Sequence, residues 1–237
     1  MPTLDGAVVL VTGANGGIGT EFVHQLLARG AKKVYATART PRAWDDERIV
    51  PLQLDVTDPA SIREVVAATA DVTVLINNAG VSVASAGILT HTDEEIRNSV
   101  ETNFVGPLLL ARAYAPQLQA ADNAALIDIH SALSWVAVAG IYSATKAALW
   151  SATNSLRLEL APAGVHVVGV HVGYVDTAMA AHADAPKTAP ADLVRAVLDA
   201  TESGQYEVLA DEASVQAKAA LSAPVEAVYP QLTTPTA

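Results

Sequence analysis

The sequence predicts an α/β fold, a doubly wound parallel sheet of about seven strands with helices on both faces. Three observations carry this. Short apolar runs alternate with segments of helical periodicity, the pattern of βαβ units. The first apolar run feeds straight into a glycine-rich turn, Thr12-Gly13-Ala14-Asn15-Gly16-Gly17-Ile18-Gly19. The 237 residues show no repeat or low-complexity linker, so a single domain over 1–237 is expected.

The elements follow in order. Residues 7–11 read as a buried first strand and 19–29 as the helix after the glycine turn. Strands are expected at 34–38 and 49–54, the latter ending at Asp55. Asp58-Pro59 caps a helix reaching about Thr69, with proline at a tolerated first-turn position. A fourth strand covers 72–76. Thr92 caps a long helix whose first turn is acidic, Asp93-Glu94-Glu95, as suits the positive end of the dipole. This helix is expected to run to about Ala120 with a bend near Pro116. Residues 124–129 form a fifth strand. The next helix, ending near Leu160, turns Leu149, Thr153, Leu156 and Leu160 toward the sheet. A sixth strand spans 165–172, Pro190 opens another helix, and 206–209 is a seventh strand. Small residues and prolines between about 176 and 190 suggest a lid, and the segment after about 221 reads as a loose tail.

Composition narrows the function. A formal charge of -11 argues against nucleic-acid or anionic-membrane surfaces, which need basic patches. The chain has no cysteine, which excludes disulfides and thiolate chemistry. No apolar run approaches the ~20 residues of a membrane span, and the first 30 residues lack a signal-peptide pattern; a cytoplasmic protein is expected. No histidine and carboxylate set has metal-ligand spacing, so no metal is predicted.

Two stretches carry chemistry. A strand, glycine turn and helix form a phosphate cradle, because absent side chains admit the pyrophosphate to helix-terminal N–H groups. Tyr142 and Lys146, four residues apart in Tyr142-Ser143-Ala144-Thr145-Lys146, share a helix face and can act on one proton. With Asn77-Asn78-Ala79-Gly80 and Ser131 between them, these motifs, in this order and in the T-G-x-x-x-G-x-G spacing, resemble the short-chain dehydrogenase/reductase family across roughly residues 5–210.

That resemblance implies a Rossmann-type fold and hydride exchange between a nicotinamide cofactor and a carbonyl or alcohol, in a homodimer or homotetramer acting on a small molecule. Tyr142 would be the acid/base. A phenol pKa of ~10 is high for this work, and Lys146 would depress it, each unit corresponding to about 1.4 kcal/mol. Ser131 would polarise the substrate oxygen, and Asn103 would anchor a water linking the lysine to solvent. Cofactor contacts would come from Gly13, Asn15, Gly17, Ile18 and Gly19 in the turn. Asp55 and Val56 would lie at the adenine, Asn78, Ala79 and Gly80 beside the ribose, and Tyr142, Lys146, Gly173, Val175 and Thr177 about the nicotinamide half. Asp55 could equally cap a turn, and Asn77 is implied as a brace of the sheet. Where NAD binding needs an acid after the second strand, the chain has Ala38 followed by Arg39. In the family such an arginine faces the 2′-phosphate, whose geometry a guanidinium fork matches; NADP(H) is expected over NAD(H).

Several residues depart from the family. The Ser131–Tyr142 interval is short, with Ser134 a poorer-fitting rival. His130 replaces a serine and reads as a packing residue or one supporting the site residues from behind, not as a base, and His166 and His171 as satisfied core residues. Val172 stands for the usual proline. Trp135, Val138, Tyr174 and Met179 are candidate lining for an apolar substrate pocket, and Trp150 a candidate subunit contact. Two other readings stay open. One is a dinucleotide-binding sensor or scaffold without turnover; the other is a halohydrin dehalogenase, against which Lys146 and the intact glycine turn argue.

Overall fold

The computed structural model describes residues 2–83 and 87–233. Seven strands, all paired in parallel, lie in the order β3-β2-β1-β4-β5-β6-β7. They are β1 (Val8–Thr12), β2 (Lys33–Ala38), β3 (Ile49–Gln53), β4 (Val74–Asn77), β5 (Ala125–Ile129), β6 (His166–His171) and β7 (Glu207–Leu209). Helices α1 (Gly17–Ala28), α2 (Pro59–Ala68), α3 (Asp93–Val100), α4 (Gly106–Ala120), α5 (Gly140–Leu160), α6 (Pro190–Glu202), α7 (Glu212–Ala219) and α8 (Val225–Val228) connect or follow them. This is the Rossmann-type architecture that the alternating pattern predicts.

Alternation along β1 sorts its side chains between two cores. Val9 and Val11 pack with Phe22, Val23 and Leu26 of α1 and Leu193, Val194, Val197 and Leu198 of α6. Val8 and Leu10 pack with Ile62 and Val65 of α2, Leu110, Tyr114 and Leu118 of α4, and Leu160 of α5. Both faces are covered, which is why the strand reads as one continuous apolar run. Each fully buried Phe, Leu or Val in these layers contributes about 1.5–3 kcal/mol. Of the α5 stripe, Leu149, Thr153 and Leu160 are buried and Leu156 packs against the second core.

Caps form where expected. Asp58 accepts from the Ala60 N–H at 2.8 Å with Pro59 in the first turn of α2. Thr92 and Glu95 form a reciprocal capping box on α3. The long helix differs from its sequence reading. Its irregularity lies at Glu101–Val105, a π-helical turn between α3 and α4, while Pro116 sits inside α4. The cause is local: Pro107 has no N–H and its ring would strike the carbonyl four residues back, so the ladder widens just before it. Gly106 closes that turn by donating to the Glu101 carbonyl.

Strand order reverses between β1 and β4, which opens a crevice at their C-terminal ends. Thr12, the last residue of β1, ties the two ends together. Its Oγ1 donates to the Ile76 carbonyl (3.2 Å) and accepts from the Asn78 and Ala79 N–H groups (2.9 Å each). From 222 to 233 the chain is almost wholly exposed but not featureless. It forms α8, and the Tyr229 hydroxyl accepts from the Ala137 N–H at 2.9 Å.

Candidate active site and dinucleotide cleft

The crevice is a cavity of about 490 Å³ lined by the glycine turn, the ends of β2, β3 and β4, and Thr177 to Met179. The turn is shaped by two glycines. Gly13 has φ +67°, a conformation that side chains strain. A Cβ on Gly19 would lie 2.2 Å from the Gly13 carbonyl oxygen, so only glycine lets α1 start this close to β1. Helix α1 has no side-chain cap at its start, leaving first-turn N–H groups for an anion. Asn15 donates from Nδ2 to the Thr40 carbonyl (2.8 Å) and joins the turn to the end of β2. Asn78 donates from Nδ2 to the Thr12 and Gly13 carbonyls (2.8 and 3.3 Å), so the segment after β4 forms the facing wall.

Twelve of the sequence-predicted cofactor residues line this cavity: Gly13, Asn15, Gly17, Ile18, Gly19, Arg39, Asp55, Val56, Asn78, Ala79, Gly80 and Thr177. Arg39 is exposed and makes no ion pair within 4 Å among the described residues, though its charge is felt at Asp55. Asp55 does cap a turn. One carboxylate oxygen accepts from the Thr57 N–H and hydroxyl (2.9 and 2.7 Å), and these bonds hold its pKa below the usual carboxylate value. Gly173 and Val175 do not line the cavity. The Gly173 N–H donates to Asp211 (2.7 Å), and the Val175 side chain is buried in the core while its backbone bridges to Thr188. That bridge ties both ends of the suggested lid, with the Asp176 N–H donating to the Thr188 carbonyl and the Thr188 N–H to that of Tyr174.

Thr40, Thr57, Asn98 and Thr102 also line the cavity, and sequence reasoning missed them. Thr40 adjoins Arg39 and Thr57 lies two past Asp55, so proximity to a motif was their signal. Asn98 and Thr102 had none, because the π turn decides which helix face reaches the crevice.

Gly80 marks where the cavity meets two of the side chains expected to be catalytic. A Cβ there would lie 3.3 Å from Asn103 Oδ1 and 3.7 Å from Lys146 Nζ. Asn103, in the π turn and fully buried, accepts from the Val81 N–H (2.8 Å) and donates to the Val81 carbonyl (2.9 Å) and Thr145 Oγ1 (3.2 Å). It thereby clamps the strand-end segment to the residue preceding Lys146. Lys146 is 4% exposed. Its Nζ donates to the Ile129 carbonyl at 2.7 Å and lies 5.8 Å from the Tyr142 ring centroid. Burial lowers the lysine pKa to about 8. Ser131 Oγ accepts from the Leu133 N–H (3.1 Å) and donates to the Val172 carbonyl (3.4 Å).

Tyr142 departs from its expected tuning. Although the residue keeps some exposed surface, its phenol is desolvated, which raises its pKa; the Ser131 hydroxyl, rather than Lys146, pulls it back. The side chain is therefore a protonated donor at neutral pH.

Other side chains fall into place. Asn77 braces the sheet, donating to Asp128 (2.9 Å) and the Pro107 carbonyl (3.3 Å). His166 bonds the Gln205 carbonyl (2.9 Å), and His130 and His171 bond each other (3.1 Å). Trp135 is not pocket lining: it stacks on His171 at 3.8 Å and meets the edge of Trp150 at 5.9 Å. An aromatic ring offered two others gains more there than at an open mouth, and Trp150 thereby has a partner within the chain. Val138 and Tyr174 are exposed away from the cavity, while Met179, also exposed, lines it. No group of three metal-binding side chains occurs among the described residues, and none of their helices is long and apolar enough to cross a membrane.

The geometry can hold a dinucleotide with its phosphates at the α1 N-terminus and present a proton donor beside it. Comparison with known proteins agrees. The family model for short chain dehydrogenases matches residues 7–188. The NADPH-dependent 1-acyldihydroxyacetone phosphate reductase of Schizosaccharomyces pombe is 36% identical over 71% of this chain, a match spanning 60% of that relative's own length. A short chain dehydrogenase from Burkholderia cenocepacia, solved in complex with NADP, is 35% identical with a TM-score of 0.90, covering 98% of this chain and 100% of that one. The NADPH-bound carbonyl reductase from chicken fatty liver is 30% identical with a TM-score of 0.76, covering 84% and 87%.

Proposed function

Since the chain belongs to the short-chain dehydrogenase/reductase family, we propose that it is an NADP(H)-dependent oxidoreductase that interconverts a ketone or aldehyde with an alcohol. The observation that carries this reading is that Asn103 and Lys146 meet the inner end of the cleft at Gly80, with Tyr142 beside Lys146 and bonded to Ser131.

The residues fit the group. The uncapped first turn of α1 takes the pyrophosphate, and the close approach at Gly19 leaves room for it. Arg39, with no carboxylate within ion-pair distance among the described residues, takes the 2′-phosphate, and Thr40 beside it adds a hydroxyl to the same wall. NADP or NADPH accompanies the relatives described above, which supports the preference. When bound, the dinucleotide supplies or accepts the hydride.

The protein's own work is with the proton and the oxygen. Ser131 Oγ–H donates to the substrate oxygen and orients it toward the phenol. In reduction the proton, which the burial-raised pKa keeps on Tyr142 Oη at rest, passes to that oxygen. The phenolate left behind is stabilised by the Ser131 hydroxyl. Asn103 fixes the height of Lys146 against Gly80 through Thr145 and anchors its route to solvent.

The test is NADPH and NADH oxidation by purified protein over a mixed carbonyl panel, beside Tyr142→Phe. Turnover preferring NADPH and lost in the variant supports the reading. Cofactor binding without turnover on any carbonyl replaces it with a dinucleotide sensor.

A further inference from the structure

Beneath Ser131 lies a buried polar chain that the reaction above does not use. His130 and His171 are 2% and 0% exposed, with ring centroids 4.7 Å apart. His171 Nδ1 lies 3.0 Å from the Ser131 carbonyl oxygen, and its Nε2 lies 3.1 Å from His130 Nδ1. His130 Nε2 lies 2.9 Å from Thr153 Oγ1, which is 2.7 Å from Asp128 Oδ2. Asp128 Oδ1 accepts from Asn77 Nδ2 at 2.9 Å.

The protons in this chain can be assigned from its ends. A backbone carbonyl only accepts, so His171 must carry its proton on Nδ1. Burial keeps His171 neutral, lowering its pKa to about 4, and Lys218, Arg157 and Lys146 push the same way. Its Nε2 is then an acceptor, and His130 must donate from Nδ1. His130, also held neutral by burial, leaves Nε2 to accept the Thr153 proton. That proton being spent, the short Asp128–Thr153 contact needs a proton from Asp128, whose complete burial raises its pKa. The Leu149 carbonyl, 2.8 Å from Thr153 Oγ1, receives the threonine proton only if His130 becomes charged. Glu207, 3.8 Å from His171 Nε2, is too far for a hydrogen bond and is paired with Lys218.

We propose that His171 is a positioning residue for Ser131, locked in its Nδ1–H form by a one-way hydrogen-bond chain running from a protonated Asp128 through Thr153 and His130. The Trp135 ring stacked 16° from coplanar fixes the imidazole plane. The backbone around Ser131 is pinned on either side by His130 N–H to the Val170 carbonyl and Ala132 N–H to that of Val172 (2.8 Å each). Those bonds set the strand end; the imidazole sets the peptide plane between Ser131 and Ala132, and with it where Oγ meets the Tyr142 hydroxyl. Links of such a chain polarise one another, so loss at one end is felt at the other.

The kinetic part rests on the role proposed above for Ser131, so the test has two arms. In the first, nitrogen-15 histidine spectra of the full chain, needing no substrate, are expected to show His130 and His171 as neutral Nδ1–H tautomers down to pH 5. An Nε2–H form of His171, or either ring titrating near its ordinary pKa of ~6.5, overturns the chain. In the second, His171→Phe is expected to lower kcat for carbonyl reduction at least tenfold with NADPH affinity unchanged. His171→Asn, whose side-chain N–H replaces Nδ1–H, restores most of it. In a Ser131→Ala background His171→Phe costs nothing more; an additive loss there, or full kcat in His171→Phe, overturns the positioning role. Should the Phe variant not fold, Thr153→Val breaks the same chain and is read against Ser131→Ala in the same way. A protein that turns over no carbonyl removes the kinetic role together with the proposed function, while the tautomers still decide the chain.

Discussion

The two ends of the site are built from different materials. The dinucleotide end is mostly backbone: glycines that admit close approach, an uncapped helix start, and an exposed arginine without an ion-pair partner. The catalytic end is side chains, nearly all buried and each held by a neighbour distant in sequence, as Asn103 is by Val81 and Thr145. Binding an anion needs N–H groups and space, which a short local motif provides. Placing a proton donor to within a few tenths of an ångström needs tertiary packing. The two ends should therefore fail separately, one in affinity and the other in rate.

The largest expected effect is at the catalytic end. Tyr142→Phe should lower carbonyl turnover by roughly 10²–10⁴-fold, the usual worth of general acid catalysis, with NADPH affinity from fluorescence titration within a few-fold of the parent. Next is Gly19→Ala. Its Cβ has no space beside the Gly13 carbonyl and Ala14, and overpacking of this kind costs about 1–3 kcal/mol. Chemical denaturation should show that loss and binding should fall with it, which would show that the glycine serves fold and cofactor alike. Arg39→Ala should weaken NADPH by roughly 10–100-fold, the worth of about 1.5–3 kcal/mol for hydrogen bonds to a charged group, and leave NADH unchanged. Equal losses for both dinucleotides would break the assignment of the 2′-phosphate to this side chain.

The smallest effect sharpens the boundary between the two ends. Lys146 has its pKa lowered to about 8 by burial, so below that pH it is charged and above it neutral. NADPH affinity of the free protein should fall several-fold as pH rises through 8, and Lys146→Met should flatten that dependence. The same shift affects folding. The unfolded lysine titrates near ~10.4, so the unfolded chain binds more protons between about 8 and that value, and this group makes stability rise with pH across that window.

The dinucleotide end was legible in the sequence because it is local. One turn and one strand end carry it, and all five glycine-turn residues line the cavity as expected. The parallel sheet and the buried face of α5 were legible too, since alternating apolar runs and helical period indicate them. The catalytic end was legible only as a list of residues. Nothing in the chain's order shows that Pro107 forces a π turn at Asn103, or that Trp135 stacks on His171 instead of lining the mouth. Nor does it show that desolvation outweighs the lysine at Tyr142. The last two depend on neighbours distant in sequence, and the first on a helix junction that the apolar pattern does not mark. Gly173 and Val175 show the same limit: motif position suggested cofactor contact, while Asp211 and the core take them.

The most direct measurement is the single-turnover rate of carbonyl reduction at saturating NADPH, with cofactor affinity measured alongside, for the parent, Tyr142→Phe and Arg39→Ala. The account expects Tyr142→Phe to bind normally and react at least a hundredfold more slowly, and Arg39→Ala to bind weakly and react at the parental rate once saturated. A Tyr142→Phe protein that keeps its rate, or an Arg39→Ala protein that stays slow at saturation, would contradict it.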